Sequence, residues 1–439
     1  MRILETVLAG PVALRLRAWD GSEAGPPDAP VVVVRNRRAL RRLVWRPDEV
    51  GLARAYVSGD LDLHGDVFAA LQAASVVARR DVQPSLRLSA APRRELFGAA
   101  VRLGALGPPP PPPPEEVRRL RGAKHSRHRD RAAVSHHYDV GNDFYRLVLG
   151  PSLVYSCAYW TRPEDPAYTL EDAQRDKLEL VCRKLGLAPG MRLLDVGCGW
   201  GSLVLHAAQQ HGVRAVGITL SQQQAELAAK RVSEAGLSDA VDIRLQDYRD
   251  VEDGPYDAIA SIGMAEHVGA PRYAEYAAAL HRLLRPGGRL LNHQIARRPG
   301  AAGPSRETFI SAYVFPDGEL LPLAETVGTL EDAGFEVRDV EALREHYPWT
   351  LRRWVANLEA QWDQAVALTS EGRARVWRLY MAGSALGFEA NRLGVNQVLA
   401  VRPADGRSGM PVTRARWLDP GLGVGGCGGW GGGGSPGLS

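Results

Sequence analysis

Cysteine is scarce in this 439-residue chain, which has four cysteines and no C-x-x-C pair. They are Cys157, Cys182, Cys198 and Cys427. Thiols so few and so scattered exclude a disulfide framework, and their spacing is not typical of a structural zinc site. We therefore expect reduced thiols, no metal centre and a cytoplasmic location.

Long apolar runs are also missing. The apolar N-terminal stretch is interrupted by Glu5 and followed by Arg15 and Arg17, which is the wrong order for a signal peptide, and no later run is long enough to span a bilayer. The composition, 45% hydrophobic and 24% charged residues, is typical of a globular protein with a sizeable core. The length allows two or three domains.

Net charge is only +4, but basic residues are concentrated in two clusters. The first is Arg35, Arg37, Arg38, Arg41, Arg42 and Arg46, and the second is Arg118, Arg119, Arg121, Lys124, Arg127, Arg129 and Arg131, with His125 and His128 between them. Each cluster can be a solvated helix face or charged linker, or it can bind an anionic membrane, where a basic residue contributes about 1 kcal/mol. Because neither cluster has interleaved aromatic residues for base stacking, we expect no nucleic-acid partner.

Seven consecutive prolines, Pro108–Pro114, mark the clearest boundary in the chain, because such a run forms an extended polyproline II rod. Before it, residues 31–34 predict a strand, and residues 47–57 and 67–79 predict helices. We therefore divide the chain into an N-terminal lipid-engaging domain, a proline-rich and basic linker, a main domain and a Gly-rich tail that we expect to be disordered. Their limits are 1–107, 108–131, 132–403 and 404–439.

From about residue 190 onward, strand and helix patterns alternate, which predicts a mostly parallel sheet covered on both faces. The fold class is therefore α/β: a doubly wound, Rossmann-like sheet with a smaller N-terminal α/β domain. The predicted strands are 192–196, 215–219, 241–245, 258–262, 289–295, 336–340 and 397–401. Ser221 followed by Gln224 predicts a capping box at the start of the helix that ends near Gly236.

The stretch LLDVGCGWG, residues 193–201, is a buried strand that enters a glycine-rich turn and then a helix. Such a turn lets the backbone approach a nucleotide closely, although glycines are also common in purely structural turns between strand and helix. A dinucleotide would require G-x-G-x-x-G and an acidic residue at the end of the next strand, and both are missing. Asp195, just before the turn, suits a cationic amino group, which favours S-adenosylmethionine.

The segment after the third strand offers partners for an adenine ring. Gln246, Asp247 and Tyr248 follow this strand, and the Asp247 carboxylate can accept a hydrogen bond from the exocyclic amine. On position alone, Asp247 is equally well explained as a surface turn residue.

The stretch VYSCAYW, residues 154–160, surrounds Cys157 with aromatic and hydroxyl side chains. Such surroundings raise a thiol pKa rather than activate the thiol, so Cys157 is better explained as part of a pocket wall than as a nucleophile or metal ligand.

Eight segments together resemble the cyclopropane-fatty-acyl-phospholipid synthases and the related mycolic-acid cyclopropane synthases. They are HHYDVGNDFY, YSCAYW, LLDVGCGWG, GITLSQQQ, GMAEHVG, NHQIAR, FISAYVFPDGEL and REHYPWTLRRW. The resemblance covers residues 130 to 403. It implies methyl transfer from S-adenosylmethionine to the cis double bond of an unsaturated phospholipid acyl chain, giving a cyclopropane, with a bound bicarbonate as base.

The same resemblance assigns catalytic roles to Cys157, Glu266, His293 and Tyr347, with backbone groups near Ile262 or Ile295. Glu266 can instead cap a strand end, and His293 can be an ordinary half-buried histidine. The predicted cofactor-binding residues, from the resemblance and from the sheet pattern together, are Tyr155, Ser156, Asp195, Gly197, Gly199, Trp200, Thr219, Gln224, Gln246, Asp247 and Ile262.

Partners and alternatives complete the predictions. We expect unsaturated phospholipid chains as acceptors and peripheral association with the anionic inner face of the membrane. The sequence leaves open whether the chain forms a homodimer. The alternatives are a methylene- or methyl-branched product, a small-molecule O- or N-methyltransferase, and a lipid-binding protein without activity. The insertion from Pro304 to Pro322 predicts part of the acyl pocket or a lid.

Overall fold

The structure is a computed structural model that describes residues 13–78, 94, 97–98, 101, 104, 107–117, 122–127, 129–131, 140–300 and 307–415. Part of the HHYDVGNDFY segment, the basic residues Arg118, Arg119, Arg121 and His128, and residues 416–439 of the predicted tail lie outside the described residues. Within the described ranges, every helix is too short or too polar to cross a lipid bilayer.

The N-terminal unit is a four-stranded sheet with three helices. Its elements are β1 (Arg15–Ala18), β2 (Glu23–Ala24), β3 (Val31–Val34), α1 (Arg37–Trp45), α2 (Glu49–Val57), β4 (Leu61–His64) and α3 (Val67–Ala78). The strand order is β2-β1-β3-β4, with β1 parallel to β3. Asn36 and Asp48 cap α1 and α2 through bonds from Arg38 N and Gly51 N. The predicted strand and both predicted helices are confirmed.

The main unit contains a seven-stranded sheet in the order β10-β11-β9-β8-β5-β6-β7. Its strands are β5 (Arg192–Val196), β6 (Arg214–Thr219), β7 (Val241–Leu245), β8 (Tyr256–Ile262), β9 (Leu284–Arg297), β10 (Glu336–Ala342) and β11 (Leu393–Val401). Only β11 among them runs antiparallel to its neighbours β9 and β10. All seven predicted strands are present, so the doubly wound, mostly parallel α/β class is confirmed.

Helices cover both faces of this sheet. They are α4 (Asn142–Leu149), α5 (Leu170–Leu185), α6 (Ser202–His211), α7 (Gln222–Glu234), α8 (Ala265–Val268), α9 (Ala270–Leu283), α10 (Phe309–Tyr313), α11 (Leu323–Asp332), α12 (His346–Ala360), α13 (Trp362–Leu368) and α14 (Glu371–Glu389). Helix α5 starts at a complete capping box between Thr169 and Asp172 and ends at Gly186 in the left-handed conformation. The caps at both ends therefore fix the position of α5 beside the start of β5.

The two units share one hydrophobic cluster. Val50, Val57 and Val67 of the N-terminal unit pack in the same cluster as Phe144 and Trp354 of the main unit. The proline run lies along the N-terminal unit, since Arg42 Nη1 donates to Pro111 O at 2.7 Å. The domain limits remain predictions, but the rod does not hold the two units apart.

Candidate active site

The glycine turn lies at the carboxyl end of β5, where a parallel sheet binds its ligands. Gly197, Gly199 and Gly201 all have positive φ, at 82°, 55° and 79°. Gly197 N and Cys198 N both donate to Ile218 O, at 3.0 and 2.9 Å, which fastens the turn to β6. A side chain at Gly197 would place its Cβ 3.1 Å from Met264, so glycine is required there for conformation and for space.

A cavity opens in front of this turn, and all eleven predicted cofactor-binding residues line it. They are Tyr155, Ser156, Asp195, Gly197, Gly199, Trp200, Thr219, Gln224, Gln246, Asp247 and Ile262. The cavity therefore joins the ends of β5, β6, β7 and β8, as expected for a nucleotide site in such a sheet.

Thr219 and Gln224 stand where a dinucleotide-binding protein would have a carboxylate. Thr219 Oγ1 donates to Gln224 Oε1 at 2.7 Å, and both side chains are buried. Ser221 caps α7 by accepting from Gln224 N at 3.3 Å. The predicted capping box is thus half formed, because the Gln224 side chain bonds Thr219 at the cavity edge instead of returning to Ser221.

Asp247 is buried at the cavity wall and also caps the short 3-10 turn Tyr248–Asp250. Arg249 donates to both of its carboxylate oxygens, at 2.8 and 2.6 Å. Burial favours the protonated acid, but the hydrogen bonds from Arg249 outweigh it and lower the pKa of Asp247. Asp247 is therefore an ionised acceptor and not a surface turn residue.

Lys177 is a cavity residue that the sequence predictions missed. It is 1% exposed, and its Nζ donates to Ser156 Oγ at 3.0 Å. Burial lowers the pKa of Lys177 to about 8, while the charge of Asp195 opposes the shift. Burial likewise raises the pKa of Asp195 to about 7. The available signal was that Lys177 and Gln174 interrupt the buried face of α5.

Glu266 lies on α8, directly after β8. Its Oε1 accepts from Ile295 N at 2.8 Å, whereas its buried Oε2 has no hydrogen-bond partner among the described residues. Burial raises the pKa of Glu266 to about 7. The side chain is therefore more than a strand cap, because it brings a proton-holding carboxyl group to the end of β9.

His293 is buried in β9 and paired with Ile262 of β8. Its Nδ1 lies 3.3 Å from Gln397 Nε2, so Nδ1 accepts and the neutral ring keeps its proton on Nε2. Burial first, and then the charges of Lys177 and Lys184, lower the pKa of His293 to about 3. The ring is neutral at any working pH.

Cys157 is fully buried, and its thiol donates to Leu343 O at 3.7 Å. Burial raises its pKa well above the ordinary value, so the thiol stays protonated. Leu343 N in turn donates to Val395 O, and Val395 pairs with Ile295, the residue that Glu266 contacts. Backbone contacts thus connect Cys157 and Glu266 around the ends of β9 and β11.

Tyr347 is buried in the first turn of α12, four residues after Leu343, with its ring 4.7 Å from Phe388. None of the four predicted catalytic residues lines the cofactor cavity. The cavity meets this second group at Ile262, which pairs with His293, and at Ser156, which directly precedes Cys157.

Aromatic rings fill the region behind the cofactor cavity. The Tyr155 ring lies 5.7 Å from Tyr145, 5.5 Å from Trp354 and 5.7 Å from Trp377. Its hydroxyl donates to the hydroxyl of Tyr380 at 3.2 Å. Ring faces attract cations, so this cluster suits a reaction that develops positive charge.

The described part of the predicted lid ties the N-terminal unit to Glu266. Phe309 N at the start of α10 donates to Glu49 Oε1 at 3.1 Å. Further along, Glu319 N donates to Glu266 O at 3.0 Å. Phe315 packs edge-on at 5.7 Å from His267, so the segment closes the space beside α8.

The sequence profile of the family described as mycolic acid cyclopropane synthetase matches residues 125–398. A probable fatty acid methyltransferase of Mycobacterium tuberculosis is 43% identical over 95% of this chain and 98% of its own length. The cyclopropane-fatty-acyl-phospholipid synthase of Escherichia coli K12 is 35% identical over 73% of this chain and 82% of its own.

Among solved structures, mycolic acid cyclopropane synthase CmaA1, complexed with SAH and CTAB, is 37% identical with a TM-score of 0.58, and the match covers 62% of this chain and 97% of that one. The family match, the sheet order and the cavity at the glycine turn agree. The chain therefore belongs to the mycolic acid cyclopropane synthetase family and is an S-adenosylmethionine-dependent methyltransferase of the cyclopropane-fatty-acid-synthase type.

Proposed function

We propose that this enzyme transfers a one-carbon unit from S-adenosylmethionine to the cis double bond of an unsaturated phospholipid acyl chain and forms a cyclopropane. The observation that carries the proposal is the junction of two sites. The cavity with all eleven predicted cofactor residues meets the buried group of Cys157, Glu266 and His293 at Ser156 and Ile262.

The protein contributes to this reaction by aligning the reactants and by excluding water. An alkene is a poor nucleophile, and bound S-adenosylmethionine would supply a strongly electrophilic methyl group. The cavity residues hold the reactants in line, and the buried rings around Tyr155 exclude water and favour positive charge.

Lys177 and Ser156 suit the carboxylate of the cofactor. Lys177 is a buried cation at the cavity wall, with no carboxylate within 4.0 Å among the described residues. Ser156 Oγ accepts from Lys177 and can itself donate to an anion. An anionic ligand beside Lys177 would compensate the burial of its charge.

A bound bicarbonate would supply the base that removes a proton from the added methyl group. The residues fit such an anion. Glu266 Oε2 has no partner in the described chain, and below pH about 7 the protonated carboxyl can donate to an anion. His293 is a neutral ring with its proton on Nε2, so it can donate to the anion, and the protonated Cys157 thiol adds no negative charge.

The first basic cluster offers less positive charge for docking on the anionic inner face of the membrane than the sequence indicated. Of the first basic cluster, Arg35, Arg38, Arg42 and Arg46 form ion pairs with carboxylates of the chain. Beside them, Trp45 is 58% exposed at the end of α1. We propose that Trp45 enters the lipid interface, where its amphipathic ring is favoured. The homodimer remains an expectation.

The test combines methyl-labelled S-adenosylmethionine with vesicles of anionic phospholipid carrying cis-monounsaturated chains, followed by mass spectrometry and NMR of the acyl chains. We expect label in chains that are heavier by one methylene, with cyclopropane ring protons. The control is Gly197→Val, which cannot form the glycine turn.

The outcomes separate the alternatives. Label in a chain without ring protons would replace the product by a methylene or methyl branch. Cofactor binding without label in lipid would overturn the acceptor and favour a small-molecule substrate or a lipid-binding protein.

A further inference from the structure

Helices α5 and α6 bring together metal-ligating side chains outside the cofactor cavity. One ligand atom each from Cys182, His206 and His211 lies within 4.8 Å of the other two. Glu179 Oε2 lies 3.2 Å from His206 Nε2 and 3.0 Å from His211 Nε2. None of these four side chains lines the cavity, and the function proposed above does not use them.

The spacing of the four residues explains why they converge. Glu179 and Cys182 are three residues apart on α5 and so share a face of that helix. His206 is the fifth residue of α6 and His211 is its last, with four residues between them. Helices α5 and α6 pack against each other beside β5, which directs both pairs into the same space.

The separations suit a four-coordinate metal ion. Zinc binds sulfur at about 2.3 Å and nitrogen or oxygen at about 2.0–2.2 Å, so tetrahedral donors lie about 3.3–3.8 Å apart. The ligand atoms of Cys182, His206 and His211 lie within 4.8 Å of one another, so side-chain rotations that bring them about 1 Å closer would reach this range without moving a helix.

The charges also fit. A bound metal would displace the proton of the Cys182 thiol, and the resulting thiolate and the nearby Glu179 carboxylate would balance a divalent ion.

Arg183 does not compete for the Glu179 oxygen that faces the two imidazoles. It contacts the other oxygen of Glu179, with Arg183 Nε 2.7 Å from Oε1. This contact orients the carboxylate so that Oε2 faces the two imidazoles, as partners in the outer shell of metal sites do.

We propose that Cys182, His206 and His211 bind one zinc ion that joins α5 to α6, with Glu179 as the outer-shell carboxylate that orients the two imidazoles. Sulfur and imidazole donors suit zinc, with water in the fourth position, whereas magnesium and calcium prefer oxygen alone. Since both helices flank β5 and its glycine turn, the ion would stiffen the support of the cofactor site.

The experiment uses the tag-free full chain, stripped with a chelator and titrated with Co²⁺ as a spectroscopic substitute for zinc. We expect one Co²⁺ per chain, the strong visible bands of four-coordinate cobalt and a thiolate-to-cobalt charge-transfer band. Added Zn²⁺ should displace the cobalt and remove these bands.

Variants locate the site. Cys182→Ser should abolish the charge-transfer band, and Glu179→Gln should weaken Co²⁺ binding about tenfold or more. Cys198→Ser and His281→Gln are matched controls that should bind like the wild type, because neither residue belongs to the cluster. If Cys182→Ser does not fold, the Co²⁺ titration of Glu179→Gln still tests whether the metal binds at this site.

Two results would overturn the proposal. One is the absence of saturable Co²⁺ and Zn²⁺ binding to the folded wild type. The other is binding that Glu179→Gln and Cys182→Ser leave unchanged, which would place the metal elsewhere.

Discussion

Buried ionisable groups dominate the site at the scale of single residues. Glu266, Asp195, Lys177 and His293 all have pKa values displaced toward their neutral forms, and burial is the first cause in each case. Displacements of this kind concentrate where charge is used in binding or chemistry. The sequence identified three of these residues, and it missed Lys177 because no motif marks a lysine on a helix that faces a cavity.

Glu266→Ala should reduce turnover about 100-fold or more, because it removes a carboxyl that would hold the base. Glu266→Gln keeps a donor and should retain more activity than Glu266→Ala. Steady-state kinetics check this, with calorimetric S-adenosylmethionine binding as control, since Glu266 does not line the cofactor cavity. Unchanged turnover in Glu266→Ala would remove the support for bicarbonate.

Glu266 should also make stability depend on pH. Its pKa rises from 4.5 to about 7 on folding, so the folded chain holds the proton more tightly. The stabilising contribution is complete below pH 4.5 and is lost as pH rises to about 7. Relative to Glu266→Gln, the wild-type free energy of unfolding should fall by up to about 1.4 kcal/mol per pH unit. Denaturant unfolding from pH 5 to 7 measures this, and the exposed Glu252→Gln should parallel the wild type.

Lys177→Met should weaken S-adenosylmethionine binding about 10- to 100-fold, the loss expected for a hydrogen bond to a charged group. Binding of decarboxylated S-adenosylmethionine should change little, because the proposed partner is missing from it. Isothermal titration calorimetry compares the two ligands.

The matched control is Lys184→Met, which removes another fully buried lysine. Lys184 is 2.5 Å from Glu341 and does not line the cavity, so its loss should leave the affinity of the folded protein intact. An equal loss for both ligands in Lys177→Met would contradict carboxylate recognition.

At the scale of elements, local signals predicted the main sheet well and its surroundings less well. The strand–glycine–helix pattern at residues 192–211 formed as predicted because each part follows from neighbouring residues. The helical region that follows β10 is interrupted, because α12 ends at Ala360 and α13 begins at Trp362. Gln361 leaves the helical conformation, with φ at −123°.

Helix α14 connects the two units through a buried ion pair. Arg375 donates to both oxygens of Asp62, at 3.0 and 3.2 Å. Arg375→Met should lower the free energy of unfolding by about 3 kcal/mol, because it leaves a buried carboxylate with fewer partners. Thermal and denaturant unfolding measure the change.

Two variants control for this pair. Arg146→Met removes an exposed pair with Asp143 within α4 of the main unit and should cost less than about 1 kcal/mol. Asp62→Asn combined with Arg375→Met should recover part of the loss. If both arginine variants lose equal stability, the buried pair does not connect the units.

At the scale of the whole molecule, tertiary packing changes how the basic residues and the proline run are interpreted. Arginines that look free in the sequence are paired across the fold, such as Arg46 with Glu307 and Arg129 with Asp317. The proline run and the segment around α10 both lie against the N-terminal unit. The unit proposed to dock on lipid and the unit with the cofactor cavity therefore pack together.

Trp45→Ser should weaken sedimentation with anionic vesicles and raise the apparent KM for vesicle substrate several-fold, while S-adenosylmethionine affinity stays constant. The reason is the loss of an exposed interfacial ring beside basic residues. Trp349→Ser is the control, since this tryptophan is 40% exposed on α12 in the main unit. Equal vesicle binding by both variants and the wild type would contradict docking through α1.

The sequence by itself determined the sheet and the glycine turn, because these depend on short-range patterns of apolar residues and glycines, and its motifs indicated the family. Tertiary structure alone decided which groups are charged, which arginines are paired and which side chains from α5 and α6 converge. Those properties depend on desolvation and on contacts between residues far apart in the chain, which a linear pattern does not contain.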